Sequence, residues 1–265
     1  MTKSEISKEN LLLREDRNAV AYLTLNRPEA YNALSIDLME AILFELDALD
    51  RNPEIAVVVI QGSGKGFCAG HDLKEMKATP TVEFRKKTFK TCSRMMQAIV
   101  NLRQPVIVKA HGIATAAGCQ LVATADLAIA ASDTRFATPG VNIGLFCSTP
   151  MVALSRAVSK KHAMEMLLTG DMVNAERAVE IGLINQHVMT DDLDPATIDL
   201  AEKIASKSPL VLKTGKEAFY KQDDMNLTDA YDYCAQVMVE NMSFKDADEG
   251  IQAFIEKRPP IWTGQ

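Results

Sequence analysis

Alternating apolar and polar positions over residues 19–25 (AVAYLTL) predict a strand with one buried face. Two further runs, 56–62 (AVVVIQG) and 105–112 (PVIVKAHG), are apolar at nearly every position and β-branched enough to be parallel strands buried on both faces. NRPEAYN reads as a turn, and Ser35 as the N-cap of a helix reaching about Asp50. Residues 83–102 set Phe89, Cys92, Met96, Ile99 and Val100 on or near one helical face. A short buried helix over 118–124 leads into a strand at 126–131. From Ser148 onward helical spacing dominates: 151–159, then 160–170 ending at Gly170, then 174–183 with Gly182 as its terminator. A short strand at 184–188 follows, and residues 201–265 read as three amphipathic helices. The predicted chain is α/β, a repeated strand-strand-helix winding over 1–200 with a helical region over 201–265.

Composition changes little in this picture. A chain of 265 residues that is 47% hydrophobic can bury a substantial core. The net charge of −6 argues against a general nucleic-acid binder, because phosphate-backbone binding needs clustered Lys and Arg. Cys68, Cys92, Cys119, Cys147 and Cys234 are scattered without CxxC spacing, so no disulfide framework or metal site is expected and a reducing compartment fits. No run has the length and apolarity of a membrane span. The first sixteen residues carry Glu5, Glu9, Glu15 and Asp16 and no apolar core, so a soluble, cytoplasmic protein is expected.

The chemistry concentrates in two segments, GSGKGFCAGHDL (62–73) and AHGIATAAGCQL (110–121). Each follows a predicted buried strand and opens a helix. Small residues crowd both, Ala69 and Gly70 in the first and Ala114, Ala116, Ala117 and Gly118 in the second, so backbone N–H groups can approach a ligand closely. Backbone donors at the mouth of a helix suit negative charge developing on oxygen, such as that of a polarised thioester carbonyl. Either segment alone reads equally well as a tight strand-to-helix turn.

Together with LTLNRPEAYNALS (23–35), FATPGVNIGLF (136–146), AMEMLLTGDMVNAERAVEIGLIN (163–185) and GIQAFIEKRPPIW (250–262), these segments resemble the crotonase superfamily, the enoyl-CoA hydratases and isomerases. The resemblance covers residues from about 19 to 262. TAAGCQLVA and FATPGVNIGLFCSTP are most similar to its enoyl-CoA hydratase domain-containing protein three subgroup. It implies a crotonase (ClpP-like) spiral of ββα units with a C-terminal helical trimerisation region, hence a homotrimer or a dimer of trimers. It also implies an acyl-CoA thioester as substrate, with no cofactor beyond the coenzyme A of that substrate.

By that resemblance the oxyanion donors are the amides of Ala69 and Ala117, and Gly70, His71, Asp72 and Leu73 line the acyl-CoA path. Arg27 and Lys257 are candidates for the nucleotide end. The family's two catalytic glutamates fall where this chain has Gln120 and Gly140. An amide cannot exchange a proton near neutral pH, and glycine offers no group at all. General acid–base help is worth roughly 10² to 10⁴ in rate, so efficient hydration is not expected without it. Glutamates restored at both positions are expected to install weak hydration.

His71, which titrates in a useful range, stands as a candidate proton carrier in a decarboxylase-type variant, or as an ordinary loop residue. Gln120 either orients a carbonyl or water, or satisfies backbone groups. Asp72 reads as a helix cap, and Cys119 and Cys147 as core-filling thiols. Ser148 has no activating base visible in the sequence. A non-catalytic acyl-CoA binder or assembly subunit remains the alternative to an enzyme.

Overall fold

The computed structural model describes residues 11–265; the acid-bearing stretch before residue 11 lies outside them. Six strands form the main sheet in the order β1-β2-β3-β4-β6-β9: Leu12–Arg17, Val20–Leu25, Val57–Gly62, Val106–Ala110, Leu127–Ala131 and Gln186–Val188. β1 and β2 are an antiparallel pair, and from β2 onward every pairing is parallel.

The run of apolar residues in β3 and β4 is explained by two covered faces. Val58, Ile60, Val106 and Val108 point into the large core beneath α1 (Ile36–Asp50) and α3 (Val82–Asn101). Their neighbours Val57, Val59 and Ile107 point the other way, into a smaller cluster with Ala201. Ala201 belongs to α8 (Leu193–Ala205), a helix that the sequence pattern did not predict and that runs through the expected boundary at residue 200.

Ser35 caps α1 as expected, its Oγ accepting from Leu38 N at 3.3 Å. A second, small sheet joins β5 (Ile113–Thr115), β7 (Arg135–Ala137) and β8 (Val173–Asn174). Between β5 and β6 lies α4 (Ala117–Thr124), buried along nearly its whole length. α2 (Leu73–Ala78) follows the first glycine-rich segment. α5 (Pro150–Ala157), α6 (Lys160–Thr169) and α7 (Ala175–Glu180) follow the small sheet, with Gly170 and Gly182 left-handed at φ 67° and 83°. α9 (Pro209–Asp223), α10 (Leu227–Met242) and α11 (Lys245–Glu256) form a final helical layer. No helix among the described residues is long and apolar enough to cross a membrane.

Candidate functional site

The two glycine-rich segments lie side by side. Cys68 N donates to Ile113 O at 3.1 Å and Cys68 O accepts from Thr115 N at 2.9 Å, so residues 67–69 run beside β5. Behind them a methyl on Gly118 would sit 2.1 Å from Cys68 O, and one on Gly70 would sit 3.3 Å from Ala117 N. Only glycine at both places lets the backbones approach this closely. Asn32, fully buried, braces the loop by donating to Ser63 O and Gly66 O, both at 2.9 Å.

Ala69 does not supply the expected free donor. Its N–H is taken by Tyr31 O at 2.9 Å. Gly70 then turns the chain with φ 98°, and its carbonyl accepts from Leu34 N at 2.7 Å. Because C=O and N–H point in opposite directions across a planar trans peptide, the His71 N–H on that same unit faces away from Leu34. No acceptor among the described residues is bonded to it.

On the facing segment the carbonyl of Ala116 accepts from Gln120 N at 3.0 Å along the helix. The Ala117 N–H therefore projects backward from the first turn of α4, where an amide has no helical acceptor. Ala116 holds φ 50°, a conformation that costs energy for a residue with a side chain. The amides of His71 and Ala117, one on each segment, are thus without a hydrogen-bond acceptor among the described residues.

The His71 ring stands edge-on to Phe89 of α3, with centroids 5.4 Å apart. Its Nε2 is buried without a hydrogen-bond partner, and burial lowers its pKa to about 4. Burial thus favours the neutral imidazole, which still carries one ring N–H. Of the two alternatives from the sequence, the loop residue hydrogen-bonded to backbone is not what the ring shows, and the proton carrier would have to work from a neutral imidazole.

Gln120 is buried in α4, its Oε1 a distant acceptor for the Cys92 thiol at 3.9 Å. It also borders a cavity of about 1100 Å³. At Gly140 a methyl would meet Leu145 O at 2.8 Å and Cys147 Sγ at 2.9 Å, because Leu145 N folds back onto Gly140 O at 2.9 Å. The space of the missing glutamate is closed by the turn, so restoring that side chain would displace the 140–147 loop. The expected gain of weak hydration from glutamates at 120 and 140 thus requires this loop to move first.

Other predicted residues carry structural duties. Asp72 caps α2 by accepting from Lys74 N and Glu75 N, as the sequence suggests. It also pairs with Arg27 at 2.8 Å, which together with its backbone hydrogen bonds holds its carboxyl below the ordinary range against the opposing effect of burial. Arg27 also donates to Ala33 O, so two of its guanidinium nitrogens are engaged inside the loop. Leu73, the first residue of α2, is 52% exposed beside the loop. Lys257 is exposed at the end of α11 with φ 55°.

Burial pushes the thiols of Cys68, Cys92 and Cys119 up to about 12 and that of Cys147 upward, which suits core packing and not nucleophilic attack. Ser148 Oγ reaches only Phe146 O, at 3.4 Å. No group of three His, Cys, Asp or Glu side chains among the described residues could hold a metal ion.

Sequence reasoning missed the His71 amide. A glycine placed directly before it was the signal, since a positive φ reverses which peptide faces outward.

Comparison with known proteins agrees with this architecture. The chain matches the enoyl-CoA hydratase/isomerase family over residues 15–265. It is 41% identical over 262 residues to enoyl-CoA hydratase domain-containing protein 3, mitochondrial, of Xenopus laevis, covering 99% of this chain and 89% of that protein. The crystal structure of an enoyl-CoA hydratase from Mycobacterium smegmatis superposes with a TM-score of 0.93 at 48% identity, over 95% of this chain and 98% of the other. That of human enoyl-CoA hydratase domain-containing protein 3 gives 0.93 at 41% identity, over 95% and 100%. These matches bear out the crotonase fold, and the chain belongs to the enoyl-CoA hydratase/isomerase family.

Proposed function

We propose that this protein binds acyl-CoA thioesters, holds the thioester carbonyl between the N–H groups of His71 and Ala117, and stabilises the enolate-like state that follows. The observation that carries the reading is the pair of unbonded amides on two segments in backbone contact. One such donor is worth about 10² to 10³ in rate.

Gln120, three residues after Ala117 in α4, carries a neutral amide, and no carboxylate stands at 140. Conventional hydration through two glutamates is therefore not the reaction proposed. Chemistry at this site would draw its proton steps from the substrate, or from water oriented by the Gln120 amide. The acyl-CoA path along Gly70 and Leu73 is part of the proposal, as is Lys257 at the nucleotide end.

A second reading, binding without turnover, is favoured by the neutral His71 ring and the closed turn at Gly140. The decarboxylase-type variant would have to use His71 as a neutral ring. Assembly into trimers or pairs of trimers is proposed through the C-terminal helices. The free cysteines fit a reducing compartment; a cytoplasmic location is proposed from the acidic residues at the start of the sequence, against the mitochondrial location in the relatives' names, and subcellular fractionation decides between the two.

Incubation with saturated, enoyl, 3-hydroxyacyl and malonyl-type CoA esters in D₂O, read by mass spectrometry, tests the reading. Conversion of one ester, or deuterium entering its α-carbon, is the result expected of an enzyme. Saturable binding with neither supports the binder. No binding of any ester overturns both.

A further inference from the structure

One side of α3 serves the core and the other does not. Thr88, Cys92, Met95 and Ile99 are buried, and the helix packs on α1 and α4. On the outer side Lys86, Lys90 and Arg94 recur every four residues, which draws a line about 12 Å long down an α-helix. Arg85 adjoins that line, and Lys77 stands in the last turn of α2, just before α3 begins.

All five cations are exposed, and none has a side-chain hydrogen bond or ion pair among the described residues. Lys87, on the side toward α1, does: it lies 3.5 Å from Glu40. Glu83 is the only acid in α3. Like charges four residues apart repel and weaken a helix, so the line opposes folding and is offset by no contact within the chain.

Apolar side chains flank these cations. Val82 and Phe89, two turns apart along one side of α3, are 55% and 39% exposed. Phe89 is also the ring against which His71 stands, so the patch adjoins the candidate site.

The shape and charge of the patch select its partner. Side chains diverge from the convex side of a single helix, so they cannot close around one small anion; they can meet many negative groups spread over a plane. The whole chain carries a charge of −6, so a negative plane repels the molecule except through a face such as this one. A bilayer containing acidic phospholipids supplies that plane, and its headgroup region also accepts apolar side chains set among cations. A nucleic acid offers phosphates but no apolar layer for Val82.

We infer that the outer face of α3, with the end of α2, is a docking surface for a bilayer bearing anionic phospholipids. Lys77, Arg85, Lys86, Lys90 and Arg94 face the headgroups, and Val82 and Phe89 enter between them. The inference goes beyond the proposed acyl-CoA chemistry and does not depend on it. It also leaves the C-terminal helices free for the proposed assembly, because α3 packs on α1 and α4 while α10 packs on α9 and α11.

Co-sedimentation of the full chain with vesicles tests this, using phosphatidylcholine alone and a phosphatidylcholine–phosphatidylserine mixture. The protein should pellet with the mixture and not with phosphatidylcholine, and added salt should release it. Changing Lys86→Gln, Lys90→Gln and Arg94→Gln together keeps long helix-forming side chains and should weaken binding about a hundredfold. Lys160→Gln, Lys161→Gln and Lys207→Gln together remove as much charge from exposed positions elsewhere and should leave binding at the wild-type level.

Failure to pellet with the mixture overturns the inference, and so does equal pelleting with phosphatidylcholine alone. An equal loss in the two triple variants overturns it as well, since net charge and not this face would then govern binding. So does a wild-type protein that ignores both vesicles but retains single-stranded RNA or free coenzyme A through the same three cations. Should the first triple variant fail to fold by circular dichroism, Lys90→Gln and Arg94→Gln decide singly: each should weaken binding about fivefold, and wild-type affinity in both overturns the inference.

Discussion

His71 holds its backbone and its ring in different circumstances, and the pH dependence of stability separates them. The ring is neutral in the folded state, with a pKa near 4 against 6.5 for the exposed side chain. The unfolded chain therefore takes up a proton first as pH falls. The stability contributed by the neutral ring is fully present above 6.5 and is lost as pH falls through 6.5 toward 4, at no more than about 1.4 kcal/mol per pH unit. His71→Phe should remove that slope, so urea unfolding from pH 7 to 4 should show wild type losing more stability than the variant. Equal slopes would mean that the ring titrates in the folded protein as it does in the unfolded chain.

At this scale the sequence identified the segment but chose the wrong amide. Small residues and a following helix were legible in CAGHDL; the Tyr31–Ala69 bond was not, because it depends on a turn more than thirty residues upstream. Ala117 was assigned by resemblance, one residue before the predicted start of the buried helix at 118; the structure makes it the first residue of α4. The closure at Gly140 was hidden because only the fold-back of Leu145 reveals it.

Among the elements, α4 makes the tightest demand. Its second residue, Gly118, lies where a methyl would come within 2.1 Å of Cys68 O, and that oxygen is already fixed by Thr115 N. Gly118→Ala must push α4 away from the 67–69 segment or break the Cys68–Thr115 bond. A stability loss of about 3 kcal/mol or more is expected by urea denaturation. A variant of wild-type stability would show that the two segments can separate freely, and with them the amides of His71 and Ala117.

Long periodic elements were readable: β2, β3, α1 and α3 fall within a residue or so of their predicted bounds, and β4 within two. β5, β7 and β8 were not, since two or three residues do not complete a pattern. β1 reads LLREDR and is too charged to announce a strand; as an edge strand it keeps those charges outside, where Arg14 pairs with Asp16 and Glu45. α8 opens with LDPAT, and the proline at its third position reads as a break in sequence although the first turn of a helix tolerates it.

For the molecule as a whole, the side of the helical layer turned away from the core is as apolar as a surface can be without a use. On α10, Leu227, Tyr231, Met238 and Met242 repeat at helical spacing and are all exposed. On α11, Ile251, Phe254 and Ile255 continue the row, with Phe254 at 85% exposure. Burying one large apolar side chain is worth about 1.5 to 3 kcal/mol, so a face of seven such residues can drive stable association. The proposed trimer would cover it. Light scattering behind size exclusion should give three or six times the 29.1 kDa of one chain. Phe254→Glu places a charge in the middle of the α11 row without touching the core, so it should shift the mass to that of one chain while leaving the circular dichroism unchanged. A wild-type protein that elutes as a single chain would remove the assembly from the proposal; a variant that keeps the wild-type mass would move the contact off α11, onto another face of the molecule.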